Sequence, residues 1–173
     1  AGFLLRELSR FEAYGRDPLR KKFFLFLILM RRYADWRYFD PAHLGPPIDY
    51  HEVRGGLRTG CIVVEDQELL RKIKSGEMIS SEEDVLLRRA QFQAVMRISS
   101  LSGKTPDEVH RLHWNLFRNC CQRAEVHCSY CSNHPHLTIF PAHPRCILSS
   151  QCKSSSLPLS EMLEDPIVDT VFY

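Results

Sequence analysis

The chain has 173 residues, 44% of them hydrophobic and 25% charged, with a formal net charge of +2. These are ordinary values for a globular domain with one sizeable core, and the 10% aromatic share excludes a disordered polymer. The longest apolar run, Phe23 to Met30, lies between basic clusters and is too short to cross a bilayer. Arg6 and Glu7 interrupt the opening apolar stretch before it can act as a secretion signal, so an intracellular location is expected. The first residue is Ala rather than Met, which leads us to expect that the chain begins inside a longer product.

Phe3, Leu4, Leu5, Leu8 and Phe11 recur at helical spacing, with Gly15 as a stop. Asp17-Pro18 reads as N-cap and first residue of a helix reaching about Trp36. Its middle is apolar almost all round, so a buried central helix with basic ends is expected. A loop with Pro41, Gly45, Pro46 and Pro47 leads to a short helix from Asp49 to about Arg58, ended by Gly60. Another helix spans Asp66 to Lys74 and closes at Gly76. Ser80 and Ser81, each with an acid three residues on, open a long amphipathic helix through Ile98. Thr105, Pro106 and Glu108 open the last one, through about Asn119. Strand character is confined to Cys61–Val64. The expected class is all-α: a helical domain over residues 1–119, a cysteine-rich metal loop over 120–152 and a tail over 153–173.

Charge is unevenly spread. Seven basic residues face two acids between Arg16 and Arg37, whereas three face seven between Glu65 and Asp84. A basic face of this kind can attract a polyanion such as nucleic acid, though a solvated helix face reads the same way. Seven cysteines are many for this length, and six fall between Cys120 and Cys152. With no secretion signal, an odd total and a C-x-x-C pair, the cluster points to a metal site rather than to disulfides. Cys121, Cys128, Cys131, Cys146 and Cys152 are the candidate ligands, with His127, His134, His136 and His143 as further ones if the metal is zinc. Cys120 is expected to pack on its helix and Cys61 in the core.

His113-Trp114 followed by Cys121-x6-Cys128-x2-Cys131 resembles the C-terminal cluster loop of endonuclease III-like DNA glycosylases, members of the helix-hairpin-helix superfamily. Cys146-x5-Cys152 is similar to the closing pair of that loop, although fourteen residues separate Cys131 from Cys146. Ile48-Asp49-Tyr50-His51 with Arg54 is similar to the stretch that carries the superfamily's catalytic aspartate, which Asp49 matches. Arg20-Lys21-Lys22 before the apolar run resembles the segment holding the Schiff-base lysine of bifunctional members. Lys22 matches that residue, or Lys21 with a one-residue slip. The glycine-rich hairpin has no counterpart beyond Tyr14-Gly15-Arg16-Asp17-Pro18, and the family's N-terminal helices are mostly missing.

The resemblance implies a base-excision N-glycosylase with a [4Fe–4S] cluster, zinc being the alternative, and nucleic acid, most simply DNA, as partner. Asp49 would be catalytic and Lys22 a nucleophile, with Arg16, Arg20, Lys21, Arg54 and Arg58 on phosphates. Plainer readings exist for each. Asp49 can be only a helix cap, the lysines only a basic first turn, and the arginines ordinary surface charge. A non-catalytic nucleic-acid-binding module with a structural metal, or a glycosylase of free modified nucleosides, would fit the missing hairpin.

Overall fold

The structure is a computed structural model that describes residues 2–40, 44–129, 145–170 and 172. It is mainly helical: α1 Gly2–Leu8, α2 Glu12–Gly15, α3 Lys21–Tyr33, α4 Tyr50–Thr59, α5 Gln67–Ser75, α6 Ser81–Ser102 and α7 Pro106–Asn119. Two short strands, β1 Met78–Ile79 and β2 Ile167–Val168, pair in parallel. No described helix is long and apolar enough to cross a membrane.

Local chemistry sets most boundaries. Ser80 and Thr105 each accept from the backbone three residues on, and Glu83 and Glu108 answer them, which completes two capping boxes. Asp49 and Asp66 cap α4 and α5 through their carboxylates. Gly60, with φ +79°, ends α4 in the left-handed region that suits glycine.

The core forms where α4 packs against α6 and α7. Val53 and Leu57 meet Leu87 and Val95 of α6, Val109 of α7, and Leu69 and Ile73 of α5. A second cluster joins Phe23, Phe24 and Leu27 of α3 to Leu4, Leu5 and Leu8 of α1. A third sets Leu116, Phe117 and Cys120 against Cys146, Ile147 and Leu148.

Five expectations change. The first helix breaks at residues 9–11 into α1 and α2. Helix α3 begins at Lys21, because the Asp17 carboxylate accepts from Leu19 N at 3.0 Å and Lys21 N at 2.8 Å, which caps the helix from outside while Arg20 takes φ 56°. That helix is not buried all round: Phe23 and Leu27 are sealed, but Leu25 and Leu29 are 37% and 39% exposed on a cavity wall. Cys61–Val64 is irregular and Cys61 is exposed, so it is not a core thiol. Residues 153–170 are not a loose tail. Met162 and Asp165 are buried, and β2 extends β1 by backbone hydrogen bonds.

The close approach of α4 to α7 depends on Gly55, where a Cβ would lie 2.1 Å from the Phe117 ring. Alanine would raise intrinsic helix propensity by about 1 kcal/mol, whereas overpacking costs about 1–3 kcal/mol. The clash here is with a fully packed ring, so Gly55→Ala should lose roughly 1–2 kcal/mol in urea unfolding. A gain in stability would show that the two helices are free to separate.

Candidate functional site

The site begins with a buried ion pair. Arg88 of α6, fully buried, donates from Nη1 and Nη2 to the two oxygens of Asp17 at 2.9 and 2.7 Å. The same carboxylate caps α3 at Lys21, so the pair fixes where the Lys21 side chain leaves the helix. Nη2 also approaches the carbonyl of Ile48 at 3.4 Å, which ties down the residue before Asp49. One guanidinium therefore sets the positions of both residues.

Asp49 and Lys21 line one cavity of about 670 Å³, together with Leu25, Leu29, Tyr33 and Trp114. Asp49 is the α4 N-cap: Glu52 N donates to Oδ1 at 3.2 Å, and Oδ2 takes no hydrogen bond among the described residues. Lys21 makes no ion pair among the described residues. Burial is the largest influence on its ammonium and pushes its pKa below the ordinary value. Arg88 and Lys22 push the same way, and the pull of Asp49 and Asp17 only partly offsets them. A lysine of this kind exposes more free amine near neutrality than a solvated one. Lys22 lies elsewhere, on a small pocket with Glu12, Arg16, Asp17 and Phe172. Of the two lysines weighed from sequence, the structure brings Lys21, and not Lys22, to Asp49.

Beneath this cavity is a polar group that the sequence reading missed. Glu52, with no exposed surface, accepts from Nδ1 of His110 at 2.9 Å, Nδ1 of His113 at 3.3 Å and Nε2 of Gln91 at 2.9 Å. Burial pushes the Glu52 carboxyl up, but the hydrogen bonds and charge of the two imidazoles outweigh it and hold it below its ordinary value. An ionised carboxylate only accepts, so both Nδ1 atoms carry their protons toward it. The sequence reading gave Glu52 no role of its own. The readable signal is His110 and His113, three residues apart and therefore on one face of a helix.

The expected phosphate contacts divide. Arg16 and Arg20 are exposed, with Arg16 paired to Glu12 at 3.0 Å. Arg54 and Arg58 are 3% and 0% exposed, so the expectation that they meet phosphates is corrected. Arg54 donates to Asp165 at 2.6 Å, Cys121 O at 2.8 Å and Phe117 O at 3.2 Å. Arg58 donates to Leu163 O at 2.9 Å, Gln122 O at 2.9 Å, Cys121 Sγ at 3.3 Å and the carboxylate of Glu164. Both arginines hold the C-terminal chain onto α4. His51 accepts from Arg54 through Nδ1 at 2.9 Å and, with Tyr50, lines an open depression beside Arg118 and Arg123, not the Asp49 cavity. The exposed cations near that cavity are instead Arg32 and Arg111 on its wall, with Arg31 alongside.

Cys121, Cys128, Cys146 and Cys152 gather at the other end of α4. Burial and the neighbouring thiols push Cys128, Cys146 and Cys152 up, Cys146 to about 11. Cys146 N donates to Cys128 O at 3.0 Å, and Cys152 Sγ to Arg58 O at 3.4 Å. Four thiols together are a soft donor set of the kind that iron–sulfur centres and zinc take. Among the described residues, no three His, Cys, Asp or Glu side chains reach an arrangement that holds a metal ion. The fit is therefore in donor chemistry and not in coordination geometry. Cys131, His134, His136 and His143 lie outside the described residues, and His127 stands 3.5 Å from Glu125.

The lowered pKa of Lys21 fixes a pH dependence. Between that lowered value and the ordinary 10.5, the unfolded chain binds more protons than the native one, so native stability rises with pH. Lys21→Met should therefore be more stable than wild type at pH 7, by a margin that narrows as pH climbs toward 10.5. Parallel stability curves for the two proteins would contradict the burial of a charged ammonium.

No family model matches this chain, and neither the curated proteins nor the solved structures include a match to it.

Proposed function

We propose that the chain is an N-glycosylase that cleaves the bond between sugar and base at a damaged or modified position in nucleic acid. The observation that carries this reading is Asp49 and Lys21 on one cavity, the carboxylate on a helix cap and the amine with its pKa lowered by burial. As the bond breaks, positive charge grows on the sugar, and Asp49 is an anion placed to stabilise it where water is scarce. Lys21 then adds to the anomeric carbon through its free electron pair and passes its proton to Asp49, or water adds in its place. Tyr33 and Trp114 line the wall, each with an arginine over one ring face, Arg32 at 5.5 Å and Arg118 at 4.5 Å. A base taken out of its stack would use the opposite faces, and Arg32 and Arg111 would offer charge to phosphates.

Four of Cys121, Cys128, Cys131, Cys146 and Cys152 would hold an iron–sulfur cluster, with zinc as the alternative. Such a centre would supply cohesion, joining the chain after α7 to the segment from residue 145 onward.

The test is base release from single- and double-stranded oligonucleotides. Asp49→Asn preserves the cap, because asparagine caps about as well as aspartate, and should slow release by roughly a hundredfold or more. Lys21→Gln should abolish borohydride trapping of a covalent intermediate, and Lys22→Gln should leave it intact. Undiminished release by Asp49→Asn would return Asp49 to a capping role. Nucleic-acid binding without any release would make the chain a binding module, and release from free nucleosides alone would move the substrate to that class.

The metal is tested separately, by elemental analysis and visible absorption of anaerobically purified protein. Cys128→Ala and Cys152→Ala should each lose metal and destabilise the C-terminal part, while Cys61→Ala retains it. A metal-free wild type would overturn the cluster.

A further inference from the structure

On the glycosylase reading, one requirement of the reaction is unassigned. Asp49 answers the charge on the sugar and Lys21 or water supplies the new bond, but the electron pair of the broken bond leaves with the base. A neutral base departs as an anion unless a proton reaches it, whereas a base already carrying a positive charge departs neutral. The side chain placed to deliver that proton is His110. It lines the same cavity, and its Nδ1–H is committed to the buried Glu52 at 2.9 Å. Any proton that His110 exchanges with a ligand therefore passes through Nε2. Nε2 takes no hydrogen bond among the described residues and is not among the sealed, unsatisfied atoms, so it keeps access to solvent.

Its neighbour His113 bonds the same carboxylate but packs against Phe117, ring centres 5.1 Å apart, and does not line the cavity. Glu52 is thus a positioning residue that fixes the ring plane and tautomer of His110. Gln91 Nε2 takes up remaining acceptor capacity on Glu52, so the carboxylate has little freedom to turn away.

We propose that His110, oriented by Glu52, is the proton donor to the departing base, which makes a neutral base rather than a cationic alkylated one the substrate class. In the step, the bond from sugar carbon to base nitrogen breaks and its electron pair moves onto the base. The proton on His110 Nε2 transfers to the base, and the imidazole is left neutral with Nδ1–H still on Glu52.

The experiment compares leaving groups in single turnovers. Oligonucleotides carry either a neutral base (uracil, hypoxanthine or 8-oxoguanine) or the cationic 7-methylguanine. Wild type should release a neutral base, and His110→Gln should slow that release by about a hundredfold or more while changing 7-methylguanine release only a few-fold. Glu52→Gln should show the same selective loss and also move His110 off its single tautomer, read by nitrogen-15 imidazole shifts. If Glu52→Gln does not fold, the His110→Gln comparison decides alone. Equal losses on both base types, or a wild type that releases 7-methylguanine alone, overturn the assignment of His110 but leave the glycosylase standing. A wild type that releases no base of either type overturns both.

Discussion

The Arg88–Asp17 pair is the constraint on which the rest of the site depends. A guanidinium and a carboxylate with almost no exposure are costly to bury, and removing one partner of such a pair typically costs about 3–5 kcal/mol. Here the two-pronged geometry and the backbone donors of Leu19 and Lys21 satisfy the carboxylate, while Asp84, 3.8 Å from Arg88, adds a second negative charge. The pair brings together residues 71 positions apart and adds a polar tie between two apolar clusters, one around α1 and α3 and one around α4 to α7, that also meet at Phe92. Together with the buried Phe23, Phe24 and Leu27 of α3, it fixes the turn from which Lys21 faces the Asp49 cavity.

Helix α4 carries the consequences in both directions. Its first turn holds Asp49 on the cavity and Glu52 under His110, and its last turn holds Arg58 on Cys121. At 1.5 Å per residue these ends are only about 14 Å apart, so the thiol cluster and the cavity share one rigid element. Gly55 and Gly56 let α7 and α6 come close to it, and the freed space is filled by the Phe117 ring and the Gln91 amide. The polar groups of the helix are consumed in binding other segments: Arg54 and Arg58 take the carbonyls and carboxylates of the C-terminal chain. That chain lies outside the Asp49 cavity, whose walls come from α3, the turn at Pro47 and Asp49, and α7.

The helices themselves were legible because their signals are local. Capping boxes at Ser80 and Thr105 and stops at Gly60 and Gly76 act within one turn, and the structure follows them. Asp49 was legible as a helix start for the same reason. The burial of Arg54, Arg58 and Glu52 was not, since each is buried by partners 58 to 111 positions away. A charged residue on a helix is by default read as solvated, and only tertiary contact reverses that reading. The choice between Lys21 and Lys22 had the same limit. It turns on where α3 starts, which the Asp17 side chain moves three residues beyond the sequence-based boundary.

The apolar face that α3 turns toward the cavity gives the site its electrostatic character. Leu25, Ile28 and Leu29 would ordinarily be covered in a helix of this composition, yet they form a wall beside Lys21 and Asp49. An apolar wall lowers the local dielectric, which lowers the proton affinity of the Lys21 amine and strengthens any attraction that Asp49 exerts. A flat base entering against Tyr33 and Trp114 would displace water from this wall and strengthen both effects. The leucines would thus contribute twice, by burying an apolar ring and by making a single carboxylate more effective toward a cationic sugar. The exposed leucines of α3 therefore belong to the candidate site as much as its charged residues do, and a polar residue at Leu25 or Leu29 would raise the local dielectric around Lys21 and Asp49 without touching either.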